Sequence, residues 1–124
     1  MSATSMIIRP LLEFLFPKAT EESLQLMHFY IRKCAHFTEY AILALWAIRA
    51  FRRSAAGPIS RYYYLFAALV VITVAVLDEV NQSFNPARTS SGWDVALDVS
   101  GGVFAILVFL AYVKLKRGSA SAAR

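Results

Sequence analysis

Three short segments of the chain carry polar residues at the spacing of one helix face. Lys33, His36 and Tyr40 lie at positions i, i+3 and i+7. Asp78 and Gln82 lie four residues apart, as do Asp94 and Asp98. In helices these spacings place the side chains of each segment in a single stripe. An imidazole titrates near neutral pH and carboxylates can move protons or bind cations, so the combination indicates general acid–base chemistry or a divalent-cation site.

The candidate site residues divide into two sets by chemistry. The predicted catalytic residues are His36, Glu39, Asp78, Glu79 and Asp94. The predicted substrate-binding residues are Lys33, Tyr40, Gln82, Arg88 and Asp98. His36 with Glu39 would transfer a proton, and the other three catalytic acids would orient a nucleophile or hold a metal ion. The two cations, Lys33 and Arg88, would bind phosphate. Internal salt bridges that hold helices together are an alternative explanation of the same residues.

The composition indicates an integral membrane protein. Of the 124 residues 58% are hydrophobic, and the mean hydropathy is +0.52, too apolar for an ordinary soluble domain of this size. The net charge of +5 does not indicate nucleic-acid binding, because the basic residues cluster in short segments beside apolar runs. The single cysteine, Cys34, excludes an internal disulfide.

Three apolar stretches, 34–51, 62–77 and 95–115, approach the length that crosses a bilayer. They lack the alternation of barrel strands, so we predict an all-α membrane protein with a small bundle of three transmembrane helices. Gly57 and Pro58 predict a tight turn between the first two spans, and Asn85-Pro86 predicts the end of the second.

The N-terminal region is predicted to be less deeply inserted. Segment 6–16 is interrupted by Arg9, Pro10 and Glu13 and is too short and charged to span, so it is a partial or re-entrant segment or, alternatively, a fourth span. Thr20 predicts the N-cap of an interfacial helix over 21–32 that leads into the first span. We predict one membrane domain over 1–117 and a disordered tail over 118–124.

The distribution of basic residues predicts the orientation. Basic residues without acids follow the first and third spans. They are Arg49, Arg52, Arg53, Arg61, Lys114, Lys116, Arg117 and Arg124. The loop after the second span has only Arg88, so the positive-inside rule places that loop outside and the basic segments in the cytoplasm. All the polar stripes then lie at the outer ends of their helices.

Two motifs resemble a known family. "RKCAHFTEYAILAL" and "LDEVNQSFNPARTSSGWDVALDVSGG" closely resemble the VanZ-like family of bacterial membrane proteins, over most of 31–108. The positions that match the family pattern are Lys33, His36, Tyr40, Asp78, Glu79, Gln82, Pro86, Arg88, Asp94 and Gly101. Asn81 stands where many relatives carry histidine, and Ala87 replaces the usual glycine.

The resemblance implies a site of action rather than a reaction. The VanZ-like family is associated with resistance to the glycopeptide teicoplanin. The resemblance therefore implies a multi-pass protein of the bacterial cytoplasmic membrane that acts in the cell envelope. With the residue chemistry, we predict action on a phospholipid head group or lipid-linked phosphate, by hydrolysis or head-group transfer. The alternative is a non-enzymatic membrane binding or scaffold protein. The expected partners are membrane lipids or a lipid-linked envelope precursor and further copies of the chain, and the cofactor is open, with a divalent cation as the candidate.

Overall fold

The protein is all-helical, as the sequence predicts. The computed structural model describes residues 3–84 and 92–122, and no strand occurs within these ranges. The helices are α1 (Ala3–Leu15), α2 (Glu21–Arg52), α3 (Gly57–Arg61), α4 (Tyr63–Ser83) and α5 (Gly92–Ala122). The chain divides into two compact units, Met1–Ala35 and His36–Arg124, and the boundary falls within α2. The single domain over 1–117 stays a prediction.

The N-terminal unit contains α1 and the start of α2. Arg9 Nη2 lies 2.8 Å from Glu21 Oε1, and Arg9 Nε lies 3.0 Å from Glu13 Oε1, so one guanidinium joins α1 to the first residue of α2. The amide of Ser23 donates a hydrogen bond to Thr20 Oγ1 at 3.3 Å. This bond satisfies one of the amides that a helix start leaves without an internal partner, which confirms the predicted N-cap.

The second unit has a narrow core of small residues. The buried stripe of α2 consists of Tyr40, Ala44, Ala47 and Ile48, and that of α4 includes Ala67, Val71 and Ala75. On α5, Ala105 and Ile106 join the same core. Small side chains at helical spacing let helix backbones approach closely, which is how helices associate where hydrocarbon surrounds them.

Two glycines mark the closest approach of α5 to its neighbours. A Cβ atom at Gly101 would overlap the carbonyl oxygen of Phe37 in α2, and one at Gly102 would overlap the γ-methyl groups of Val71 in α4. A side chain at Gly101 would require the backbone of α2 to move, and one at Gly102 would require Val71 to move. These glycines therefore set the distance at which α5 packs, and with it the position of Asp98 one turn earlier.

The outer surface of the second unit is apolar. Leu69 on α4 is 59% exposed and Leu107 on α5 is 60% exposed, and many other large hydrophobic residues on the two helices share this exposure. Two of the described helices are long and apolar enough to cross a membrane, Tyr63–Ser83 and Gly92–Ser121. The first predicted span, within α2, is not one of them, because His36, Glu39 and Arg49 reduce its apolar character.

Several boundaries differ from those predicted. The predicted interfacial helix 21–32 and the first span form one continuous helix, and α1 continues through Pro10 instead of breaking there. The predicted turn at Gly57 and Pro58 contains the short helix α3, where Pro58 occupies the first turn, in which its missing N–H is tolerated. Helix α5 is described to Ala122, and the disordered tail over 118–124 stays a prediction.

Candidate functional site

Helix α2 contributes an imidazole and a phenol to the candidate site. His36 and Tyr40 are one helical turn apart, so their side chains lie on the same face of α2. The His36 side chain is 22% exposed and Tyr40 is buried. This face continues into the buried Ala44, so the two polar residues extend the core stripe toward the N-terminal end of the unit.

Helix α4 contributes a carboxylate with two hydrogen-bond donors. Tyr40 Oη donates to Asp78 Oδ2 at 3.5 Å, and Gln82 Nε2 donates to the same oxygen at 3.3 Å. Both distances are at the long end for hydrogen bonds, so the carboxylate is oriented without being tightly held. Gln82 is buried and Asp78 half-buried, which places the pair on the inner face of the last turns of α4.

Helix α5 contributes the most deeply buried acid. Asp98 is 5% exposed, and its Oδ1 lies 3.6 Å from Nδ1 of His36. That separation is longer than a hydrogen bond, but it places the carboxylate beside the Nδ1 edge of the imidazole. Nε2 of the imidazole would then remain as the proton acceptor. We refer to His36, Tyr40, Asp78, Gln82 and Asp98 as the polar cluster.

Three members of the polar cluster could hold a metal ion. One donor atom each from His36, Asp78 and Asp98 lies within 4.8 Å of the others. One imidazole nitrogen with two carboxylate oxygens is a ligand set that suits zinc, manganese or iron, and it leaves coordination positions for water or a substrate oxygen.

The other predicted site residues have different environments. Glu39 is exposed, while Glu79 and Asp94 are half-buried beside Asp78 and one turn before Asp98, respectively. Lys33 belongs to the N-terminal unit, where its Nζ lies 5.3 Å from the ring centroid of Phe29. Arg88, with Pro86 and Ala87, lies outside the described residues.

Sequence reasoning did not identify one contributor to the site geometry. Gly101 of α5 packs against the backbone of Phe37 in α2. This contact brings the two helices close together beside His36. The sequence contains no signal for it, since an aromatic residue beside a histidine on an apolar helix is ordinary. The contact is made through the Phe37 backbone, so side-chain type does not reveal it.

Most of the chain, including the helices that carry the polar cluster, matches a known family. The family model described as VanZ/LLP1 matches residues 3–114. The chain belongs to the VanZ/LLP1 family. The match includes every member of the polar cluster and confirms the family predicted from the two motifs. No curated protein and no solved structure matches the chain.

Membership of the VanZ/LLP1 family and the two apolar helices together indicate a membrane protein. Within the VanZ/LLP1 match, the polar cluster combines residues from α2, α4 and α5, so no single helix carries the site. Any chemistry of the cluster depends on how these helices pack. The core stripe of small residues and the two glycines are therefore part of what positions it.

Proposed function

We propose that this VanZ/LLP1 protein acts in the bacterial cell envelope on a phospholipid head group or a lipid-linked phosphate, by hydrolysis or head-group transfer. The observation that carries the proposal is the approach of His36, Asp78 and Asp98 donor atoms to within 4.8 Å of one another. Ionisable groups within a membrane cost about 2.5–3.5 kcal/mol each at its centre and less near the interface, so such a group is by default a functional site.

In this proposal α2, α4 and α5 cross the cytoplasmic membrane as three spans. The basic residues after α2 and at the end of α5 would face the cytoplasm, and the polar cluster would lie beneath the outer surface. A head group in the outer leaflet would then reach the cluster from the side of the loop after α4. Further copies of the chain are candidate partners in this proposal.

The proposed roles follow the contacts within the cluster. His36 would accept a proton at Nε2 while Asp98 stabilises the imidazolium that forms, as a carboxylate does for a catalytic histidine. Asp78, oriented by Tyr40 and Gln82, would orient the attacking water or hydroxyl, or hold a divalent cation with His36 and Asp98. Phosphate binding by Lys33 and Arg88 and participation of Glu39, Glu79 and Asp94 remain predictions from the sequence.

The test is turnover by the purified protein. The protein is incubated with a panel of phospholipids and polyprenyl phosphates, with and without a divalent cation, and the products are identified by mass spectrometry. Release or transfer of a head group by the parent, with loss in D98N, supports the proposal. Glu22→Gln is the matched control, because Glu22 is an exposed acid in the N-terminal unit.

The second candidate is a membrane protein that binds an envelope component without changing it. The two hydrogen bonds to Asp78 favour it, because a carboxylate that is already satisfied by Tyr40 and Gln82 can serve recognition without chemistry. A protein that retains a lipid through purification but yields no product from any member of the panel would be a binder.

A further inference from the structure

A second polar region lies at the other end of the helices of the His36–Arg124 unit. Arg49 is thirteen residues after His36 in α2, which corresponds to about 20 Å along a helix. An open groove of about 460 Å³ is found there. Its lining consists of Leu45, Ile48, Arg49, Arg52, Arg53 and Phe109. We call it the arginine groove.

The arginine groove has a strong positive charge. The sequence contains no aspartate or glutamate between Glu39 and Asp78, and none after Asp98. The acids of this unit therefore belong to the polar-cluster end of its helices. A neighbouring groove adds three more cations, Arg61, Lys114 and Arg117, beside Tyr63 and Tyr64. A multivalent positive field of this kind attracts anions and is not neutralised along these stretches of the chain.

One arginine of the groove is fixed and two are available. The guanidinium of Arg52 lies 5.5 Å from the ring centroid of Tyr63 and 5.1 Å from that of Phe109, so two aromatic rings hold it in place. Arg49 is exposed near the end of α2, and Arg53 is exposed in the turn that directly follows this helix. Their guanidinium groups can form paired hydrogen bonds to the oxygens of a phosphate.

The remaining walls of the groove are apolar. Leu45 is 45% exposed and Phe109 is half-buried, whereas Ile48 at the base of the groove is buried. A free phosphate ion would contact only the arginines and leave these apolar walls uncovered. A ligand with an anionic head and a hydrocarbon tail would contact both parts, and basic pockets between membrane helices bind anionic lipid head groups.

We propose that the arginine groove binds an anionic phospholipid, with the head-group phosphate between Arg49 and Arg53 and an acyl chain along Leu45 and Phe109. The site is separate from the polar cluster. It requires from the proposed function only that these helices lie in a bilayer, and it needs no reaction at His36. The bound lipid would be a structural component of the membrane rather than a substrate.

Tryptophan fluorescence can report on this site directly. The chain has two tryptophans, so Trp93→Phe leaves Trp46, which is 69% exposed and three residues before Arg49, as the only one. This variant is placed in phosphatidylcholine vesicles that contain brominated phosphatidylglycerol or, in parallel, brominated phosphatidylcholine. Because bromine quenches nearby tryptophan, the ratio of the two quenching curves gives the relative affinity for the anionic lipid beside Trp46.

We expect a preference of about fivefold or more for phosphatidylglycerol, the factor that corresponds to about 1 kcal/mol for one basic residue near an anionic surface. R49Q/R53Q should reduce the ratio of the affinities for phosphatidylglycerol and phosphatidylcholine toward one. R49K/R53K, which keeps the charges and loses the paired hydrogen bonds, should give an intermediate value. The matched control K18Q/K116Q removes two exposed lysines that do not line the groove and should keep the parental preference.

The remaining outcomes separate the two proposals. Equal quenching by both brominated lipids in the parent, or equal loss in R49Q/R53Q and K18Q/K116Q, would overturn the lipid site and leave the proposed function standing. Removal of the preference by inorganic phosphate at constant ionic strength would show a free-phosphate site and would also overturn it. Quenching of Trp46 by neither lipid would contradict insertion of α2 in the bilayer and overturn both proposals.

Discussion

The Nδ1 atom of His36 lies 3.6 Å from Oδ1 of Asp98, although the two residues belong to different helices and are far apart in the sequence. Asp98 is among the most buried polar residues of the described chain, whereas Glu39, the acid nearest His36 in the sequence, is exposed. Because the Nδ1 edge of the imidazole is nearest Asp98, this aspartate is the acid best placed to orient the ring.

The first prediction compares these two acids. We expect D98N to reduce head-group turnover about 100- to 10,000-fold, the usual contribution of acid–base catalysis, since its amide cannot stabilise the imidazolium. E39Q should retain more activity than D98N, because Glu39 points away from the core. Turnover is measured by mass spectrometry of the lipid products, with protein amount equalised. A larger loss in E39Q than in D98N would favour the proton-transfer pair predicted from the sequence.

The second prediction concerns a divalent cation at the polar cluster. We expect zinc or manganese to raise the thermal unfolding temperature of the purified protein, because a ligand that binds only the folded state stabilises it by about 2.7 kcal/mol at 100 times its Kd. H36A and D98N should each remove most of this shift, since each removes one of three ligands. An undiminished shift in both variants would place the cation elsewhere, and E22Q controls for the loss of an exposed acid.

The sequence predicts that the polar stripes of three helices lie close together, but it does not predict which side chains contact each other. Polar residues at i, i+4 spacing on apolar helices must avoid hydrocarbon, so the sequence predicts that His36, Asp78 and Asp98 share a centre. Which acid faces His36 depends on the rotation and separation of α2 and α5. That geometry is set by Gly101 against the backbone of Phe37, a contact between distant segments that periodicity does not encode.

The ends of the helices were also predicted only in part from the sequence. Thr20 was identified as an N-cap because its hydroxyl can satisfy an amide of the first turn, and it does so. Gly57 and Pro58 predicted a turn, but Pro58 also suits the first turn of a helix, and α3 forms there. Arg49, Arg52 and Arg53 were interpreted only as orientation signals, because their grouping around a groove with Phe109 requires the packing of α5.

The third prediction concerns the glycines that set helix separation. We expect G101A to lower stability by about 1–3 kcal/mol, the usual cost of overpacking, because the added Cβ meets the rigid backbone of Phe37. Activity should fall as well, because Asp98 is displaced with α5. Gly118→Ala is the matched control: nothing lies within 4 Å of a Cβ at Gly118, so this change should be neutral or slightly stabilising in a helix. Thermal unfolding in detergent, followed by circular dichroism, compares the two, and equal melting temperatures would contradict close packing at Gly101.

The fourth prediction tests the N-cap of α2. We expect T20A to destabilise the start of this helix by about 1 kcal/mol, because the Ser23 amide loses the acceptor on Thr20. Hydrogen exchange of the Ser23 amide should accelerate about fivefold, the rate factor that corresponds to this free energy. Thr20→Ser keeps the hydroxyl and should exchange at the parental rate. Similar acceleration in both variants would mean that the side-chain oxygen is not the acceptor.

The fifth prediction tests the proposed orientation in the membrane. Cys34→Ser removes the only cysteine, and single cysteines are then introduced by Ser83→Cys at the end of α4 and Ser119→Cys near the end of α5. Both positions are exposed, so a maleimide reagent can reach each of them in detergent. In intact cells a membrane-impermeant maleimide should label the first variant, because the positive-inside rule places the end of α4 outside. The Ser119→Cys variant should be labelled only after permeabilisation. Labelling of both variants from the same side would contradict a membrane crossing by α5, and with it the proposal that the polar cluster faces outward.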